Sequence, residues 1–272
     1  MDNNLLSIII VTWNTAQVTL KCIKTISKHL KNKINYEIII VDNASSDNTI
    51  SEINKLKIVN CKLKIIQNST NSGFAKGNNI GVKHAKGEYL FFLNSDMEMI
   101  DDKLIDMLNF YKNSPIGHIG LIGPKFLNPD LTPQGSVFPP QTALNAFKEF
   151  VLNIKNSYSK YTPNSNKPIS VWSVSGGAML IKKDLFLQAG SWNEKYFMYF
   201  EDLDLCRSIC KLHKEIIYFP QFKVIHAHGQ SGKKLASSEN QWRRLIPSSI
   251  KFHGKINHYF INAIICLGQK LH

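Results

Sequence analysis

Several short constellations in this 272-residue chain carry side chains able to do chemistry, and most sit where an apolar run gives way to polar residues. Asp42 and Asn43 close the run 37–41, and a carboxylate beside an amide can read a nucleobase edge or a ribose through hydrogen bonds. Ser46 or Asp47, just beyond, also suits a helix cap. Asn94, Ser95 and Asp96 follow Leu90-Phe91-Phe92-Leu93, which puts a carboxylate at a strand end. One or two such carboxylates, with waters, can hold a hard divalent cation, Mg²⁺ or Mn²⁺, that bridges a diphosphate. Glu201 and Asp202 open a helical segment directly after Tyr196, Phe197, Tyr199 and Phe200. Aromatic neighbours desolvate a carboxylate and raise its basicity, although the helix dipole alone also favours acids there. His226 and His228 precede Gly229-Gln230-Ser231-Gly232 and Lys233-Lys234, a combination suited to phosphate.

The elements that must position these residues follow from periodicity. Short β-branched runs at 7–11, 37–41, 63–67 and 89–93 alternate with helical patterns at 16–29, 47–55 and 75–85, the signature of βαβ units in a parallel sheet. In such a sheet the ligand crevice lies at the carboxyl ends of the strands, so Thr12-Trp13-Asn14, Asp42-Asn43, Asn68 and Asn94-Ser95-Asp96 should converge. The segment 71–79 supplies Gly73, Gly77 and a helix start whose N–H groups could face a diphosphate, but it lacks both the GxxxxGK[ST] and GxGxxG spacings. Further on, 124–140 is rich in Pro and Gly, and 156–168 reads as a polar, mobile loop. Strands are expected at 169–174, 178–181, 215–219 and 222–225, with a helix over 201–212. Phe252, Ile256, Phe260, Ala263 and Leu267 recur at helical spacing with Lys251, Lys255 and His258 elsewhere on the wheel, which predicts an amphipathic helix.

Composition narrows the class. An apolar fraction of 43% and a charged fraction of 19% describe an ordinary folded protein. No run is long enough to span a bilayer and no signal peptide is evident, so the expected location is cytoplasmic. Five scattered cysteines without CxxC spacing argue against a disulfide framework or a zinc site. The net charge of +13 points to anionic partners. Its bias is strongest after residue 232, where Lys233, Lys234, Arg243, Arg244, Lys251, Lys255 and Lys270 face the single acid Glu239. Flanking an apolar helix, these cations predict peripheral attachment to an anionic membrane surface, the inner face of the cytoplasmic membrane. No nucleic-acid recognition motif is legible, so nucleic acid is not an expected partner.

Taken in order, these pieces resemble the family-two inverting glycosyltransferases of the GT-A fold, particularly a rhamnosyltransferase-like branch that builds surface polysaccharides such as lipopolysaccharide. The likeness spans 5–234: Ser7 to Asn14, Val41 to Asp47, Asn71 to Asn79, Phe92 to Asp96, Gly176-Gly177-Ala178-Met179-Leu180-Ile181, Phe200 to Leu205, and His226 to Ser231. It implies an α/β fold with a Rossmann-like, mostly parallel sheet flanked by helices, as a catalytic domain over 1–235 with a C-terminal amphipathic helical extension over 236–272. It implies transfer of a hexosyl or deoxyhexosyl group from a UDP- or dTDP-sugar to a hydroxyl of a glycan or lipid-linked glycan. Thr12, Asn14, Asp42 and Asn43 would hold the nucleoside, and Gly73, Asn78, Asn94, Ser95, Gly176, Gly177 and Lys233 would line the rest of the donor site. Asp96 matches the last position of the family's DxD-type motif and His226, with His228 as rival, the histidine that completes the metal site. Asn94, a weaker ligand than carboxylate, stands at the motif's first position. Asp202 matches the acceptor-activating base, with Glu201 as its neighbour and rival. The competing readings are a sugar-nucleotide-binding protein without turnover and a nucleotidyltransferase of related topology. The first would lack the acids at 201 and 202, and the second should carry a Gly-rich, basic N-terminal loop absent here.

Overall fold

Isoleucine-rich runs without polar interruptions cannot lie half in water, and the structure buries them on both faces. The computed structural model describes residues 5–56, 58, 61–114, 118–227 and 238–271, with side chains described from Leu245 onward in the last stretch. Strands β1 (Leu6–Thr12), β2 (Tyr36–Asp42), β3 (Lys62–Gln67) and β4 (Tyr89–Leu93) run parallel in the order β3-β2-β1-β4. They are joined by helices α1 (Ala16–Leu30), α2 (Thr49–Asn54) and α3 (Gly73–His84). Alternate residues of each strand enter different cores. Ile8, Ile10, Ile38, Ile40 and Phe91 pack on one face, and Ile9, Ile39, Val41, Leu90 and Phe92 on the other. Ile23, Ile26 and Leu30 of α1 cover the first of these faces.

Beyond β4 come β5 (Met97–Met99), α4 (Leu104–Asn113), β6 (Ile119–Leu127), β7 (Pro133–Gln134), β8 (Val137–Phe138), α5 (Ala143–Phe150), β9 (Ile169–Val171), β10 (Ser173–Val174) and β11 (Ala178–Lys182). The chain continues through α6 (Lys183–Gln188), α7 (Glu201–Lys211), β12 (Glu215–His226), α8 (Ser238–His253) and α9 (Lys255–Leu271). The main sheet continues β4-β11-β6-β12-β5, with β11 antiparallel to both its neighbours. The result is an α/β fold with a mostly parallel central sheet flanked by helices.

Three expectations change in the structure. The strand expected at 169–174 divides at Trp172: β9 joins β12 in the main sheet, whereas β10 pairs with β8 in a separate ribbon. The two strands expected at 215–225 are one, β12, whose register shifts between Phe219 and Lys223 around Pro220. Proline cannot donate to the ladder, so the shift falls where it stands. The C-terminal helix is two helices, because Gly254 takes φ +80° and ends α8 before α9 begins.

Candidate active site

The carboxyl ends of β1, β2 and β3 form one polar rim. Thr12 lies opposite Asp42 in the β1–β2 register, and the Asn68 N–H donates to the Asp42 carbonyl at 2.9 Å. The Asp42 carboxylate is buried and accepts from the Ser45 N–H at 3.1 Å and from the Ser45 hydroxyl. Asn14 adopts φ 52°, and its amide oxygen accepts from the N–H groups of Ser46 at 2.7 Å and Asp47 at 3.3 Å. Several residues expected to touch a nucleotide are engaged internally. The Thr12 hydroxyl joins those of Thr15 and Thr19 at 2.9 and 2.8 Å. Asn43 donates to the Gly73 carbonyl at 3.0 Å and accepts from Asn68 and Ser72, and Asn78 donates to the Phe74 carbonyl at 3.0 Å. Gly73 must be glycine: at φ +81° a Cβ would stand 2.4 Å from the Phe197 carbonyl oxygen.

A second corner forms where β12 ends. Antiparallel pairing with β5 sets His226 opposite Met97, and the Ala227 N–H donates to the Asp96 carbonyl at 3.1 Å. His226 Nε2 and Asp96 Oδ1 are 3.5 Å apart, both in buried residues, and Asp96 Oδ1 has no hydrogen bond among the described residues. On the far side of the ring, Nδ1 lies 2.7 Å from Gln134 Oε1. The amide orientation is settled by its other end, since Gln134 Nε2 donates to the His226 carbonyl at 3.3 Å and to Asn128 Oδ1 at 2.8 Å. Gln134 therefore presents its oxygen to Nδ1–H, which donates to it, and Nε2 is the nitrogen turned to Asp96. A buried carboxylate oxygen without a hydrogen bond, 3.5 Å from an imidazole nitrogen, is a donor set of the kind a divalent cation takes, so these residues fit one. Among the described residues no group of three or more His, Cys, Asp and Glu comes together, so further ligands would be water or substrate oxygens.

The third corner is built around Ser175-Gly176-Gly177, the turn between β10 and β11. The Gly177 carbonyl accepts from the Asn94 N–H at 2.8 Å, and the Gly176 N–H donates to Asp202 Oδ2 at 3.0 Å. A Cβ on Gly177 would lie 2.5 Å from the Met97 side chain, and one on Gly176 would press on the Asp202 Cβ at 3.1 Å. Two glycines thus let the cation corner and the Asp202 carboxylate approach one turn. Ser95 lies buried in the Asp96 turn. Asp202 Oδ1 accepts from the Leu203 N–H at 2.9 Å. Burial pushes its carboxyl above the usual carboxylate range, against the Gly176 amide, the Lys160 ammonium and the Leu203 amide, which favour the charge. Glu201 is buried, and its Oε2 has no hydrogen bond among the described residues. Burial first, and then the charge of Asp202, drive it well above its ordinary range. Tyr199 and Phe200 enter α7 with φ 71° and 68°, a left-handed pair without glycine immediately before the two acids.

The aromatic run expected to shield these acids is divided. Tyr196 and Phe200 pack with Leu203 and Phe252, whereas Phe197 is exposed and its backbone abuts Gly73. Two site residues were missed in sequence, Gln134 and Lys160, because each lies in a polar, aperiodic stretch with no motif around it. The 156–168 segment, expected as a loop, is tied down: Tyr161 bridges Val137, and Lys160 Nζ donates to the Ser175 hydroxyl at 3.0 Å. His228, Lys233, Lys234 and the glycines at 229 and 232 lie outside the described residues.

The sequence matches the family model described as Glycosyl transferase family 2 over residues 7–189. It is 26% identical to the low-salt glycan biosynthesis hexosyltransferase Agl10 of Haloferax volcanii, over 83% of this chain and 67% of that protein. The chain spans much less of other relatives, 43% of an uncharacterized glycosyltransferase of Haemophilus influenzae and 18% of the Staphylococcus aureus enzyme TarS. The crystal structure of S. aureus TarS 1-349 in complex with UDP-GlcNAc superposes with a TM-score of 0.59 at 18% identity, covering 96% of this chain and 70% of that one. That of GalNAc-T7 with UDP, GalNAc and Mn²⁺ superposes with a TM-score of 0.65 at 16% identity, covering 82% of this chain and 44% of that one. At these identities the structural likeness speaks to the fold.

Proposed function

The chain belongs to glycosyl transferase family 2, and from that membership we propose that it moves a hexosyl or deoxyhexosyl group from a UDP- or dTDP-sugar to a hydroxyl of a glycan or lipid-linked glycan, with inversion, in surface-polysaccharide synthesis. The observation that carries this reading is the turn 175–177, which binds the Asp202 carboxylate on one side and the Asn94–Asp96 turn on the other. Inverting displacement needs those two functions on either side of one carbon.

In this reading Asp42, Asn14 and the rim around them hold the nucleoside, with Asn43 and Gly73 shaping that rim. Asp96 and His226 would hold a Mg²⁺ or Mn²⁺ ion, with Asn94 and Ser95 in the same turn, and Lys233, which lies outside the described residues, would supply a cation for the diphosphate. When bound, the cation neutralises charge gathering on the departing nucleotide diphosphate. Asp202 orients the acceptor hydroxyl and takes its proton as the oxygen attacks. Each Asp202 oxygen already accepts one backbone N–H and keeps a second lone pair for that proton. Glu201, buried beside it, is pushed toward its protonated form by that burial and by the charge of Asp202. Residues 1–235 form the catalytic domain and 236–272 an extension that attaches it to the inner face of the cytoplasmic membrane. Agl10, a hexosyltransferase of glycan biosynthesis, and TarS bound to UDP-GlcNAc support donor and acceptor classes of this kind.

The test is Asp202→Asn. Turnover should fall by roughly 10²–10⁴-fold while donor affinity holds, and stability should drop by about 1–3 kcal/mol, because Asn can accept from only one of the two backbone N–H groups. Near-normal turnover in Asp202→Asn, with collapse in Glu201→Gln, would move the role to Glu201.

A further inference from the structure

Lys160 lies in the polar stretch between β8 and β9, yet its ammonium is drawn inward to the site. It sits 5.3 Å from the centre of the Phe138 ring and 5.5 Å from that of Phe126. It donates to the Ser175 hydroxyl at 3.0 Å, and the next residue in that turn, Gly176, donates its N–H to Asp202. A lysine held in an aromatic cradle instead of extending into water gives up hydration, and something must offset that cost. Rings and one hydroxyl are weak compensation. The carboxylate of Asp202, reached through the Ser175-Gly176 turn, supplies the opposite charge.

We propose that Lys160 is the counter-ion of Asp202, a positioning residue that keeps this carboxylate in the ionised form able to accept the acceptor hydroxyl's proton. The inference rests on Asp202 being the base.

The charges around Asp202 support it. On α7 itself Glu201 is the adjacent acid, buried with an unpartnered oxygen, and burial favours its neutral form. Cys206, one turn on, is a buried thiol held in its neutral form. Asp204 and Arg207 pair with each other. The β10–β11 turn offers only the Gly176 N–H. Among the described residues that leaves Lys160, one residue of backbone away through Ser175 and Gly176, as the cation whose charge favours the Asp202 carboxylate. Burial lowers the affinity of the Lys160 amine for its proton and the Asp202 charge restores it, so each group sustains the charge of the other. Without Lys160, two desolvated carboxyls would share one turn of helix with backbone amides as their remaining support. Asp202 would then hold a proton at a pH where it should be free to take one.

The experiment is the pH profile of kcat/KM for the acceptor in Lys160→Met and Lys160→Arg, beside Asp202→Asn. For Lys160→Met the acid limb should move measurably to higher pH, the direction set by removing a cation that favours the carboxylate. Turnover should recover toward the wild-type level at alkaline pH. Lys160→Arg keeps the cation and should keep the limb near its wild-type position. An unmoved limb in Lys160→Met, or a loss of the same factor at every pH, would reduce Lys160 to packing and overturn the proposal. If Asp202→Asn abolishes turnover while the limb stays put, only the counter-ion role fails. If Asp202→Asn remains active, the base assignment fails and takes this inference with it.

Discussion

Gln134 decides which nitrogen of His226 faces Asp96, and nothing in the local sequence advertises it. The relay begins at the Pro133 carbonyl, which with the Thr132 hydroxyl orients the Asn128 amide; Asn128 orients Gln134, and Gln134 orients the imidazole. Groups that hold the far nitrogen of a ligating histidine are commonly worth about 10–100-fold in metal affinity. Gln134→Leu should therefore weaken Mn²⁺ binding by about that factor, measured by titration calorimetry in the presence of nucleotide diphosphate. Gln134→Glu, which can still accept from Nδ1, should retain most of it. Asp96→Ala should remove measurable binding, and unchanged affinity in Gln134→Leu would show that the ring needs no such support. Asp42, Asp96, Asp202 and His226 were legible because strand ends and helix starts are marked by sharp changes in polarity. Gln134 and Lys160 have no such markers, since what brings them to the candidate site is a partner 92 or 15 residues away.

At the scale of elements, the C-terminal helix shows that a helix can carry an apolar stripe besides the one it packs with. Ile256, Phe260, Ala263 and Leu267 do share one stripe of α9, but it is an exposed one, with Ile256 85% and Phe260 58% accessible. The face that packs is His258, Ile261, Ile264 and Gly268, laid against Ala146 and Phe150 of α5. Gly268 is required there, because a Cβ would stand 2.2 Å from the Phe150 carbonyl oxygen. Phe252 belongs to α8, beyond the Gly254 break, where Arg207 stacks on its ring at 4.3 Å. α9 thus carries two apolar stripes and uses one. No helix among the described residues is long and apolar enough to cross a membrane. Residues 241–272 contain no acid, and Lys255 and Lys270 lie on the same helix as the unused stripe. This supports contact with an anionic bilayer surface. The double substitution Ile256→Ser and Phe260→Ser should lower flotation with anionic liposomes by tenfold or more, since each buried side chain of this size is worth about 1.5–3 kcal/mol. The fold should survive, because neither residue is in the packed face. Undiminished flotation would place the membrane contact elsewhere, and a change from dimer to monomer on the same substitutions would identify the stripe as a contact between copies.

For the whole molecule, the buried acid pair makes stability depend on pH in a direction opposite to the usual carboxylate. Folding raises the affinity of Glu201, and less strongly of Asp202, for protons. Their contribution is therefore fully present below the ordinary carboxylate range and is lost as pH rises through the folded-state value. The melting temperature should decline over that window, and Glu201→Gln should flatten the decline by at most about 1.4 kcal/mol per pH unit, or roughly 2–4 °C per kcal/mol for a chain of this size. Calorimetric scans from about pH 4.5 upward check this, and an equal slope in both proteins would count against a protonated Glu201. The same division separates what the chain determines locally from what folding adds. The sequence by itself determined the parallel β1-β2-β3-β4 half, the carboxylates at its strand ends and the acid pair opening α7, because periodicity and abrupt polarity changes are local properties. Only the tertiary structure decided that 169–174 would split between two sheets, that one turn at 175–177 would join Asp202 to the cation corner, that Lys160 and Gln134 would enter the site, and which stripe of α9 would pack. Each of these is settled by a contact between segments distant in sequence, and the polar loops that bring those segments together carry no pattern from which the contact could be read.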